Sequence, residues 1–249
     1  MANYDNQPAF GTTVARGGAA GAVDEGLRAH MLRVYNYMAL GLVLTGVTAY
    51  AVATVPSLQQ LFFAQTINGF GMTTLGWIAF IAPIGLVFLL SFGIQRMSTA
   101  TAQLVFWIYA ALMGVSLSTI FFAYTMTSIT QVFFVSAATF GAMSLYGYTT
   151  KRDLTGIGSF LMMGLIGIII ASIVNIFLQS SGLGFAVSVI GVLVFVGLTA
   201  YDTQKIKEMY YVGDDGTVAG RKAIMGALSL YLDFINLFLM LLRLFGDRR

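Results

Sequence analysis

The stretch Leu154 to Tyr201, LTGIGSFLMMGLIGIIIASIVNIFLQSSGLGFAVSVIGVLVFVGLTAY, contains no Asp, Glu, Lys or Arg. An apolar run of this length accommodates two membrane-crossing helices of about 20 residues each. The break between them falls at Gln179-Ser180-Ser181-Gly182, where turn-forming residues cluster. Two further stretches, Val34 to Gln95 and Met97 to Thr150, are equally free of charge. Pro56-Ser57 and the Gln, Asn and Gly residues up to Gly71 divide the first, and Thr125-Met126-Thr127-Ser128 divides the second. Helices are therefore predicted near 34–55, 75–95, 102–124, 129–148, 155–178 and 184–204. A seventh apolar run, 223–245, contains Asp233 and ends around Arg243.

Composition agrees. Of 249 residues, 58% are apolar and only 9% are Asp, Glu, Lys or Arg, where a soluble domain carries about 25%. So few charges cannot clothe a soluble globule. The expected fold class is an all-α integral membrane protein with seven transmembrane helices. A soluble enzyme, a nucleic-acid binder and a disordered chain are excluded, and the net charge of +3 is read as topology, not as DNA affinity. There is no cysteine and a single histidine, His30. Disulfides, thiolate nucleophiles and Cys- or His-clustered metal sites are thus excluded. No permanently bound cofactor is expected, and any metal chemistry must use oxygen ligands, as for Ca²⁺ or Mg²⁺.

Residues 1–26, rich in Gly, Ala and Thr, are read as a flexible cytoplasmic tail without a signal peptide's apolar core. Residues 27–249 are read as one seven-helix domain. Arg28 and Arg33 precede the first span; Arg96 follows the second, Lys151 and Arg152 follow the fourth, and Lys205, Lys207, Arg221 and Lys222 lie between the sixth and seventh. The three intervening loops are uncharged. This alternation sets the N-terminus in the cytoplasm. The last segment conflicts with it, because a full seventh crossing carries Arg248 and Arg249 outside. Its length favours the full crossing over a re-entrant helix.

Two acids fall inside predicted spans: Asp202 near the end of the sixth and Asp233 in the middle of the seventh. An Asp at mid-membrane costs roughly 2.5–3.5 kcal/mol on insertion scales, so such residues commonly face an interior cavity and carry function. Helical spacing aligns Ser229, Asp233, Asn236 and Arg243 in one stripe, and Ser188, Thr199 and Asp202 in another with Phe195. Two such stripes on sequential helices outline a hydrophilic path. Two carboxyls in a low-dielectric site cannot both ionise cheaply, so they should share a proton and titrate as a pair. When ionised, they offer up to four oxygens to a cation, short of the six to eight that Ca²⁺ takes. That suits a weak transit site with Asp202 and Asp233 as the metal ligands. Arg96 is the nearest counter-ion by depth and a candidate latch. Simpler readings stand beside these: Asp202 as the point where its helix emerges into headgroups, and Asp233 as an inter-helix hydrogen bond. Asp202 also lies about one turn deep and Asp233 roughly 15 Å deep, a gap the fold must close.

Tyr201-Asp202-Thr203-Gln204, Ala227-Leu228-Ser229-Leu230-Tyr231-Leu232-Asp233-Phe234-Ile235-Asn236-Leu237-Phe238 and Leu241-Leu242-Arg243 closely resemble the signatures of the Bax inhibitor-1 family. The resemblance covers about residues 28–246. It implies six helices surrounding a central seventh, and a pH-sensitive calcium leak of the bacterial inner membrane gated by Asp202 and Asp233. It also implies a basic latch on the second helix, for which Arg96 is the only candidate. The lipid bilayer, Ca²⁺ and H⁺ are the partners implied. Some bacterial members modulate an ATP-dependent membrane protease, which makes a non-conducting regulator the alternative.

No enzymatic activity is expected. An intramembrane aspartyl protease needs Gly-x-Gly before its second Asp, but Leu230-Tyr231-Leu232 precedes Asp233. A rhomboid-type serine site at Gly114-Val115-Ser116-Leu117 lacks an in-membrane histidine base. A retinal protein needs a lysine in the last span, and Asp214-Asp215-Gly216 reads as a turn and not a calcium loop.

Overall fold

The computed structural model describes residues 13–66 and 69–249. Its elements run α1 (Thr13–Thr54), α2 (Pro56–Phe62), β1 (Phe63–Thr66), β2 (Gly69–Met72), α3 (Thr74–Gly93), α4 (Thr99–Leu117), α5 (Ile120–Ala123), α6 (Met126–Thr149), α7 (Thr155–Leu178), α8 (Ser181–Glu208) and α9 (Gly216–Phe245). Seven stretches are long and apolar enough to cross a membrane: one each in α1, α6, α7, α8 and α9, one in α3 with its following turn, and one in α4 with α5. The predicted spans all correspond. The expected tail divides: residues 1–12 lie outside the described residues, while 13–26 fall within α1.

Polar residues that break the apolar runs cap the next helix. Thr73, Ser98, Thr125, Ser180 and Asp215 each accept a backbone N–H from three residues ahead, at the starts of α3, α4, α6, α8 and α9. The turn spans Tyr211–Asp214, just before the predicted position; Asp214 pairs with Lys222 and Asp215 caps α9. Between the first two spans, the predicted plain loop is a short helix and an antiparallel hairpin, with Phe63 paired to Met72. Thr73 fastens this hairpin by donating from Oγ1 to the Leu61 carbonyl (2.6 Å) and from its N–H to the Phe62 carbonyl (3.0 Å). Backbone groups outside a helix at a membrane face need such partners.

Helix α9 is the most buried span: 72% of its most apolar stretch is inside the protein, against 11% for α7. It packs against α8, α1, α6 and α4, while α3 rests chiefly on α4 and α7 chiefly on α8. Four helices therefore wall α9 directly, and two stand mainly in an outer layer. The chain after α9 is tied to the α5–α6 turn. Thr125 N–H donates to the Asp247 carbonyl (3.0 Å), Arg249 N–H to the Ala123 carbonyl (3.1 Å), and Asp247 N–H to Ser128 Oγ (2.9 Å). That turn is at the uncharged-loop end, so α9 makes the full crossing and the last two arginines lie opposite the basic loops.

Candidate functional site

A cleft of about 500 Å³ lies between α7, α8 and α9. Asp202 of α8 and Ser229, Asp233 and Asn236 of α9 form its polar wall, with Ser172 of α7 opposite. The remaining lining is apolar, from Met162 to Ile176 on α7, Phe195 and Leu198 on α8, and Leu232 and Met240 on α9. From Met162 to Ile176 the cleft follows α7 for roughly 21 Å.

The antiparallel register of α8 and α9 brings the acids together. Gly226 faces Ile206 and Gly191 faces Met240. Asp202 is then level with about Leu230, roughly 4.5 Å along the axis from Asp233, a gap two side chains bridge. The depth mismatch read from the sequence closes because α9 begins about two turns, roughly 12 Å, farther out than α8 ends. Residues 209–215 cover that distance. Measured from the helix ends the acids differ greatly in depth; measured against each other they are neighbours.

Asp233 is only 5% exposed, and its Oδ2 is buried without a hydrogen-bond donor. The carboxyl of Asp202 lines the same cleft, close enough for the two acids to interact electrostatically. Two neighbouring carboxyls can hydrogen-bond only when one carries a proton, so their interaction is sensitive to protonation. The cation that acts on Asp202 is Lys205, one turn along α8 and close to the Tyr201 ring. At the basic-loop end the lining stops at Asp202 and Met162. There Gln204 clamps the α6–α7 loop, accepting from Leu154 N–H and donating to the Arg152 carbonyl (both 2.8 Å). The Tyr201 ring lies on Gly158 beside this clamp.

Three sequence readings need correction. Thr199 is fully buried, donates to the Phe195 carbonyl (2.7 Å) and does not line the cleft. At 100° per residue, the cleft takes Phe195, Leu198 and Asp202, and Thr199 turns past its edge. Arg96 is exposed, forms no ion pair among the described residues and is absent from the cleft. Its span packs on α4, away from the helix that carries Asp202. Arg243, placed on the Asp233 stripe, is exposed near the far end of α9. Conversely, spacing within single helices could not reveal the α7 wall. Ser172 amid isoleucines was its one polar signal, and Gln204 stood in a quoted motif without a role.

No group of three or more His, Asp or Glu residues that could hold a metal occurs among the described residues. The carboxyl pair can offer a cation four oxygens at most, with water and the cleft's Ser and Asn oxygens as additional donors.

Residues 27–249 match the family model described as inhibitor of apoptosis-promoting Bax1. The chain is 54% identical to an uncharacterised protein of Rickettsia prowazekii, covering 91% of this chain and 92% of that one. It is 50% identical to the inner membrane protein YbhL of Escherichia coli K12, covering 90% of this chain and 94% of YbhL. A Caulobacter vibrioides protein is 49% identical, with 92% of each chain covered.

Proposed function

The chain belongs to the Bax inhibitor-1 family, and on that premise we propose that it is a pH-gated, calcium-permeable leak of a bacterial inner membrane, with its N-terminus and basic loops in the cytoplasm. One observation carries the reading: a largely apolar cleft in the spanning region holds two neighbouring carboxyls in its polar wall. With a shared proton the two acids hold each other, and α8 stays against α9. Loss of that proton leaves two like charges side by side in a poorly solvated site, which repel and attract a divalent cation. The Gln204 and Tyr201 closure lies next along α8 from Asp202, so movement of this helix opens the way to the basic-loop face. Because the pair supplies so few ligands, it passes a cation and does not store one.

Purified protein in vesicles enclosing a calcium dye tests this between about pH 6 and pH 8. The parent should leak in a pH-dependent way, and Asp233→Asn should lose that dependence. A parent-like response from Asp233→Asn ends the gating proposal. A non-conducting regulator of a membrane protease gives the other outcome: no flux at any pH and a stoichiometric protease partner on pull-down.

A further inference from the structure

A second cavity, of about 580 Å³, lies between α1 and α6, away from the acids. Its walls are Met31, Leu32 and Tyr35 of α1 and Phe140, Gly141 and Leu145 of α6, with Ser144 and Tyr148 completing the α6 side. Leu32 and Leu145 are exposed, so the groove opens sideways toward the bilayer. At its floor the Tyr35 and Ser144 hydroxyls bond each other, and Ser144 reaches Thr203 of α8 (3.1 Å). A Cβ on Gly141 would meet nothing within 4 Å, so part of the groove exists because this residue has no side chain.

The groove is polarised along the membrane normal. Arg28 lines its basic-loop end, is exposed and forms no ion pair among the described residues. Lys207 is fixed at the same rim, with Nζ donating to the Tyr148 carbonyl (2.8 Å) and lying 5.2 Å from its ring. Lys151 and Arg152 follow directly after α6 and are exposed. No acid lines the groove, and the neighbouring Asp153 is engaged by the Thr155 N–H. An apolar slot in the hydrocarbon with cations at one mouth has the polarity of a lipid with a negative headgroup.

We propose that this groove binds one anionic phospholipid, its phosphate at Arg28 and an acyl chain along Gly141. The occupant would contact Ser144, which is bonded to Thr203 of α8. The full chain is titrated with phosphatidylglycerol and with phosphatidylcholine, and retention is read by native mass spectrometry. The parent should prefer phosphatidylglycerol by roughly fivefold, the effect of one cation near an anionic headgroup. Arg28→Gln should erase the preference, and Gly141→Leu should reduce retention of both lipids. In vesicles, a photoactivatable phosphatidylglycerol should label residues 28–35 and 140–148 of the unaltered chain, a readout independent of how the variants fold. Parent-like retention in folded Gly141→Leu, an undiminished preference in Arg28→Gln, or labelling confined to α3 and α7 overturns the proposal. So does displacement of the lipid by glycerol phosphate alone, or a second protein found cross-linked into the groove.

Discussion

Asp202 of α8 and Asp233 of α9 line one cleft on a helix pair whose register leaves them about one turn apart. Their interaction needs both acids and no arginine. Arg96→Gln should therefore leave the pH profile of calcium flux within about twofold of the parent, as for an exposed charge without a fixed partner. Asp202→Asn should flatten it. A flattened profile in Arg96→Gln restores the latch and removes the two-acid account of gating.

Two tyrosines near the bundle centre should behave differently. Thr45 Oγ1 donates to the Ala110 carbonyl (2.8 Å) and accepts from the Tyr231 hydroxyl (2.6 Å). The Tyr109 hydroxyl is buried without a partner, although its ring packs edge-on against Tyr231. Tyr231→Phe should cost about 0.6–1.5 kcal/mol. Tyr109→Phe should be neutral or slightly stabilising. Thermal unfolding in detergent gives the comparison, and an equal loss in both variants contradicts it.

Small residues matter for helix packing where a backbone approaches them. A Cβ on Gly114 would lie 2.5 Å from the Thr45 carbonyl oxygen, and one on Gly147 would lie 2.2 Å from that of Ala200. Leucine at either position should destabilise by about 1–3 kcal/mol or prevent assembly. Gly167, in contrast, faces open space. Gly167→Ala should fold normally and gain up to about 1 kcal/mol from helix propensity. Size-exclusion profiles and melting temperatures separate the two classes.

The tie between the chain's end and the α5–α6 turn predicts a location. A reporter fused after Arg249 should be active on the side opposite one inserted in the Lys151–Asp153 loop. Ser128→Ala removes the acceptor for Asp247 N–H and should cost about 1 kcal/mol. Reporters active on the same side would refute the full seventh crossing.

At the start of α7, the Thr155 hydroxyl, and next its backbone N–H, hold the Asp153 carboxyl below the usual carboxylate range. A depressed value in the folded state means the contribution is present above about pH 3.9 and fades as pH falls through the folded value. Asp153→Asn, which keeps an acceptor but loses the charge, should show a shallower decline in melting temperature between about pH 5 and pH 3. An unchanged slope would show that the charge of Asp153 plays no part.

Hydropathy and charge spacing alone determined the seven spans, their breaks and the two unusual acids, because a bilayer imposes one-dimensional rules. A crossing must be about 20 apolar residues long, its ends collect polar caps, and a charge within it stands out. Those rules put Thr125, Ser180 and Asp215 in the breaks between spans, and they singled out Asp202 and Asp233. They could not say which helices touch. The α8–α9 register, the α7 wall of the cleft, the turning away of Thr199, the isolation of Arg96 and the groove at Gly141 are all relations between segments far apart in the chain. Each depends on how side chains of different sizes let two backbones approach, and only the packed bundle decides that.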